Sequence, residues 1–118
     1  MYGLPGNFDP SVFVGAELLQ ISFTFNQLML NFSSDLSIAI ESSLLFRRAD
    51  TAREIIINTP VRESDLMILI GDHIVRADYE PNGTLYLYFS TGNEISIFDD
   101  CSIYESYQIK IKDKIIII

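Results

Sequence analysis

A single cysteine, Cys101, leaves this chain without an internal disulfide, which fits a reducing compartment. Histidine is equally scarce. His73 stands alone, and no paired Cys or His motif offers a structural zinc site. The six glycines form no glycine-rich phosphate loop, and Gly15 and Gly71 read as chain-reversing stops. No segment approaches the ~20 apolar residues of a membrane helix. The opening Met1-Tyr2-Gly3-Leu4-Pro5-Gly6 has neither the basic region nor the apolar run of a signal peptide. The expectation is a soluble, cytoplasmic protein. Basic residues are also few: 8 Lys and Arg against 16 Asp and Glu, a net charge of −8. Between positions 72 and 105 the acidic residues are Asp72, Asp78, Glu80, Glu94, Asp99, Asp100 and Glu105, and the only basic one is Arg76. Such a field repels phosphate backbones and anionic lipid, so neither nucleic acid nor membrane is an expected partner. It would speed encounter with a basic partner, and it also serves the solubility of a chain rich in Ile, Leu and Phe.

The same scarcity bears on catalysis. His73, Cys101 and an aspartate such as Asp72 or Asp99 contain the residue types of a nucleophile, base and orienter, but nothing in their spacing supports that assembly. Asp99-Asp100-Cys101 with Glu105 lacks the ligand spacing and central glycine of a calcium loop and reads as a solvated strand end and turn. No catalytic, cofactor-binding or metal-ligating residue is predicted.

What the chain does have is repetition. Val14-Gly15-Ala16-Glu17-Leu18 leads to Leu28-Met29-Leu30-Asn31-Phe32-Ser33 and then Leu36-Ser37-Ile38. Ile70-Gly71-Asp72-His73-Ile74 leads to Leu85-Tyr86-Leu87-Tyr88-Phe89-Ser90 and then Ile95-Ser96-Ile97. The offset is 56 from Gly15 to Gly71, 57 from Leu28 to Leu85 and 59 from Leu36 to Ile95. Each copy opens on a short helical pattern. Asp9 caps with Pro10 at the first helical position and Gly15 as the stop; Ser64 caps the second copy, with Asp65 in its positive first turn and Gly71 as its exit. A strand follows, about 18–25 and about 74–79. A hairpin comes next: aliphatic and polar residues alternate through Leu28–Phe32 and Leu36–Ile40, broken at Ser33-Ser34-Asp35. In the second copy Pro81-Asn82-Gly83-Thr84 makes the tight turn before Leu85, and Thr91-Gly92-Asn93 turns into Glu94–Phe98. With Phe89 opposite Ile95, all aliphatic positions share one face.

Between the copies, 44–62 is the least regular segment. Positions 47–53 read as a polar loop, and Glu54-Ile55-Ile56-Ile57-Asn58 as a short strand ended by Pro60. The tail reads as a hairpin of Tyr107–Lys112 and Lys114–Ile118 about Asp113. Its four isoleucines should be buried on both faces or paired across a dimer, because an open edge of this composition aggregates. The expected architecture is one α+β domain over 1–118, dominated by antiparallel strands. It has two pseudo-symmetric short-helix-plus-three-strand units, 9–41 and 64–98, and a C-terminal β-hairpin.

One face of this scheme points to recognition. Tyr86, Tyr88 and Phe98 lie opposite Leu85, Leu87 and Phe89, whereas the same face of the first copy carries Met29, Asn31, Ser37 and Ala39. Three roles fit the aromatics: cross-strand pairing, a second buried layer, or a recognition patch ringed by Glu94, Asp99 and Asp100, with Glu105 nearby.

The pattern Gly83-Thr84-Leu85-x-Leu87-x-Phe89-Ser90-x-Gly92, then Ile95-x-Ile97, then Tyr104-Glu105-Ser106-Tyr107-Gln108-Ile109, resembles a family of small uncharacterised bacterial proteins. Tyr-Glu-Ser-Tyr is its most specific element, and the likeness covers most of the chain. Such small acidic β-rich proteins resemble immunity proteins that neutralise toxins. The resemblance implies a non-enzymatic protein-binding module, an immunity-type inhibitor of a basic toxin, and carries over no functional residue. The competing expectation is a self-associating subunit, a homodimer formed through 115–118 or the tyrosine face.

Overall fold

A computed structural model describes residues 6, 8–51, 53–59, 64–100 and 106–118. The described residues form ten strands: β1 (Leu18–Phe23), β2 (Leu28–Phe32), β3 (Leu36–Ile40), β4 (Ser43–Arg47), β5 (Glu54–Asn58), β6 (Ile74–Tyr79), β7 (Leu85–Phe89), β8 (Glu94–Ile97), β9 (Tyr107–Ile111) and β10 (Lys114–Ile117). They build two five-stranded sheets, β1-β2-β3-β9-β10 and β5-β4-β8-β7-β6, with antiparallel pairing throughout the described residues.

The expected helices are single 3-10 turns, Pro10–Phe13 and Leu66–Leu69, so the α+β assignment gives way to a mostly antiparallel β-fold. The reason is length. The Asp9 carboxylate accepts from the Ser11 N–H at 3.0 Å, so the first cap forms as expected. The Ser64 hydroxyl accepts from the Leu66 N–H at 3.0 Å, but Asp65 stands at the N-cap position of the second turn, one residue later than expected, without a side-chain cap bond. But Gly15 and Gly71 turn the chain at φ 87° and 91° after barely one turn, too short to repay helix nucleation.

Phe89 does not face Ile95. Its N–H bonds to the Asn93 carbonyl at 2.9 Å, and Ile95 sits opposite Leu87. The turn is tighter by two residues, and because side chains alternate with period 2 the aliphatic face survives. The segment expected to be irregular is a hairpin: β4 pairs β5 from Ser43–Asn58 to Arg47–Glu54.

The connection between halves is reciprocal. Hairpin β9–β10, from the end of the chain, completes the sheet begun by β1-β2-β3. Hairpin β4–β5 completes the sheet of β6-β7-β8. Where the two sheets meet, the Gly15 N–H bonds the Ile74 carbonyl at 2.7 Å and the Gly71 N–H bonds the Leu18 carbonyl at 2.8 Å. Glu17 and His73 form a bridge between these bonds.

The inward faces share one core. Leu30, Ile38 and Ile109 from the first sheet are fully buried, as are Phe46, Leu87 and Ile97 from the second. Each such side chain contributes roughly 1.5–3 kcal/mol by leaving water. One turn closes against this core with little room. Gly83 sits at φ 97°, and a Cβ there would fall 2.6 Å from the Asp99 Cβ. Gly83→Ala should therefore cost roughly 2 kcal/mol from the left-handed backbone alone, and more from the clash. Urea unfolding would check this, and an unchanged midpoint would refute it.

Candidate functional site

The outward face of the second sheet is built from two cross-strand rows. Register places Glu54, Arg47, Glu94, Tyr88 and Arg76 in one row and Ile56, Leu45, Ser96, Tyr86 and Asp78 in the next. Their side chains point away from the core because they alternate with Leu44, Phe46, Leu85, Leu87, Ile95 and Ile97. The first row alternates in charge. Arg47 lies 3.7 Å from the Glu94 carboxylate. The Arg76 guanidinium stands 4.4 Å from the Tyr88 ring centroid and 3.7 Å from Asp78. Tyr86 and Tyr88 are half-buried by their neighbours. Burial, followed by the hydrogen bond and negative charge of Glu80, pushes the Tyr86 phenol above its ordinary pKa. These surface pairs hold the rings in place more than they stabilise the fold.

The predicted contact residues divide. Tyr86, Tyr88 and Glu94 do share this face. Phe98 is half-buried just beyond β8, and its N–H bonds the Ser43 carbonyl at 3.1 Å. Asp99 and Asp100 are engaged within the fold. The Asp99 carboxylate accepts from the Ser106 hydroxyl at 2.5 Å, and Asp100 accepts from the Ser43 N–H at 3.3 Å and from the Ser43 hydroxyl. Glu105 and Cys101 lie outside the described residues. His73 is exposed on the bridge to Glu17. Among the described residues, no group of three His, Cys, Asp or Glu is placed to hold a metal ion, and no helix is long and apolar enough to cross a membrane.

Two features escaped the sequence reading. An open groove of about 560 Å³ lies between the β2–β3 and β9–β10 turns, where Lys110 and Lys112 alternate with Asp35 and Asp113. Mixed charge without a buried polar group gives it no evident ligand. The second is a set of exposed aliphatics near the Glu17–His73 bridge: Val12, Val14 and Leu19, with Ile68, Ile70 and Val75. The 56-residue offset relates them pairwise, and that signal was present in the sequence.

The Tyr-Glu-Ser-Tyr motif is structural over its described half. Ser106 is fully buried against Asp99, and the buried Tyr107 donates its hydroxyl to the Gly83 carbonyl at 2.6 Å. Neither a search of curated proteins nor one of solved structures returned a match to the chain. One family model does match, over residues 10–118: the chain belongs to DUF6188, a family of unknown function.

Proposed function

We propose that the chain is a non-enzymatic protein-binding module, working in the bacterial cytoplasm as an immunity-type inhibitor of a basic toxin. Its scaffold is pseudo-symmetric, from an internal duplication. Its contact face is the outer surface of the second sheet. One observation carries this reading. At the same positions on the outer face of the first sheet stand Met29 and Asn31, so the fold itself does not require Tyr86 and Tyr88. Half-buried tyrosines flanked by Ser96, Asp78, Glu94 and Arg76, with Glu80 nearby, have the anatomy of a binding surface: amphipathic aromatics within a charged rim. The acidic rim suits a basic partner by raising its encounter rate. Asp99 and Asp100, held in internal hydrogen bonds, contribute field at the margin of this face.

The experiment is affinity capture of the tagged protein from its native cell extract at low salt, read by mass spectrometry. A basic partner released by high salt is expected. Binding should weaken by about 30-fold or more in a Tyr86→Ala/Tyr88→Ala variant with an unchanged melting temperature. Charge reversal at Glu80 and Glu94 should slow association without greatly changing dissociation. Recovery of the bait alone, or undiminished affinity in the double tyrosine variant, would overturn the reading.

A further inference from the structure

β10 ends the first sheet, and among the described residues nothing pairs with its outer side. The isoleucines are not buried on both faces, contrary to one expectation from the sequence. Ile118 is buried and Ile116 half-buried, but Ile115 and Ile117 are 56% and 48% exposed. The other three edges are each interrupted by a bulge or bounded by polar side chains. β1 and β6 each carry a register shift next to their first residue, which twists the edge away from pairing, and β6 adds Arg76 and Asp78. β5 begins with Glu54 and ends with Asn58. After Lys114, β10 has no bulge, charge, proline or polar side chain.

The direction of its backbone is fixed. Ile118 and Tyr107 exchange backbone hydrogen bonds, at 2.9 and 3.4 Å. In an antiparallel ladder such exchanging residues alternate, so Lys114, Ile116 and Ile118 turn their polar groups toward β9. Ile115 and Ile117 therefore turn their N–H and C=O groups outward, along the open edge.

We propose that β10 is a docking edge for a second copy of this chain, the two strands pairing antiparallel about Ile116. The register is self-complementary. Each Ile115 faces the other copy's Ile117, four outward N–H and C=O pairs close, and four half-exposed isoleucine side chains meet on one face. Shifting the register by one residue would put outward-turned groups against inward-turned ones and lose the hydrogen bonds. Charge allows the approach. The chain's lysines, Lys110, Lys112 and Lys114, lie on this hairpin, so the net charge of −8 is not concentrated where the copies meet. In the paired register each Lys114 faces the other copy's Ile118, away from its own counterpart. The contact is small, so the dimer dissociates on dilution. It also leaves the outer face of the second sheet open, independent of the proposed partner contact.

Sedimentation of the full chain across a concentration series tests this. Mass should rise from one chain to two with concentration. Ile117→Pro removes an N–H that turns away from β9 and that no bond among the described residues uses, so it should abolish the dimer while keeping the far-ultraviolet spectrum and cooperative melting. Ile117→Lys should do the same. Under mild oxidation Ile116→Cys should give a covalent dimer and Lys114→Cys should not, because only position 116 meets its own copy across the axis. Tyr86→Ala/Tyr88→Ala should leave the dimer intact. A single-chain mass at every concentration, a dimer that survives both Ile117 substitutions, or equal crosslinking at 114 and 116 would overturn the proposal.

Discussion

Tyr107→Ala should cost about 4 kcal/mol of stability, and Tyr107→Phe only about 1 kcal/mol. Tyr107 is fully buried in β9 opposite Ile40. Its hydroxyl reaches the Gly83 carbonyl, 24 residues away on the turn between β6 and β7, at 2.6 Å. Burial drives its phenol far above the ordinary tyrosine range, so the ring stays neutral and donates that bond throughout the stable pH range. Alanine would remove the ring, leave a cavity and orphan the carbonyl. Phenylalanine would keep the volume and lose only the bond. The side chain ties the first sheet to a turn of the second, so the alanine variant should unfold early and as one unit. Against a total of about 5–15 kcal/mol for a domain of this size, a loss of 4 leaves little. Urea unfolding of both variants gives the answer. Equal losses would mean that the hydroxyl bond, and not the ring, dominates. A loss below about 1 kcal/mol for alanine would remove Tyr107 from the core.

The sequence disclosed the elements with clean alternation. β2, β3, β7 and β8 all read correctly because Leu, Ile and Phe fall on one parity and Met, Asn, Ser and Tyr on the other. β4 did not. Leu45 turns outward between the buried Leu44 and Phe46, and that apolar run hides the period of two. The exchange of hairpins was beyond local reading altogether. β3 pairs β9 and β4 pairs β8 across long stretches of chain, and periodicity carries no record of which strands pair over such distances. The tyrosine face was legible because parity alone places Tyr86 and Tyr88 outward. Asp99 and Asp100 were legible as charges at a strand end, but the bonds they accept from Ser106 and Ser43, distant in sequence, were not. Composition could not show that use of the charges.

Asp72 puts one of those carboxylates to a test with a defined sign. It lies in the crossing between the sheets, only 8% exposed. It accepts from the hydroxyls of Ser90 and Thr91, from the His73 N–H at 2.8 Å and from the Thr91 N–H at 3.4 Å. Burial alone would raise its pKa, but the donors from Ser90, Thr91 and His73 outweigh it and hold the group below the reference 3.8. A carboxyl whose folded pKa is depressed stabilises the protein above its unfolded value, and that contribution is lost as pH falls through the folded one. At neutral pH, Asp72→Asn should cost about 2 kcal/mol, because an amide offers fewer acceptor sites to the same donors. Asp72→Ala should cost about 3 kcal/mol by stranding them. Beside Ala16, 56 residues earlier in the sequence, the Ser33 hydroxyl instead accepts from the Glu17 N–H at 3.0 Å, so a different bond orders that stretch. The decisive measurement is the stability gap between the native chain and Asp72→Asn as a function of pH. It should be constant from neutral pH down to about 5, then narrow through and below 3.8 as Asp72 takes up its proton. Using the difference cancels the titration of the other carboxylates. A gap that stays flat to the acid limit would mean the charge on Asp72 does not stabilise the fold, and a gap that widens would mean its folded pKa is raised.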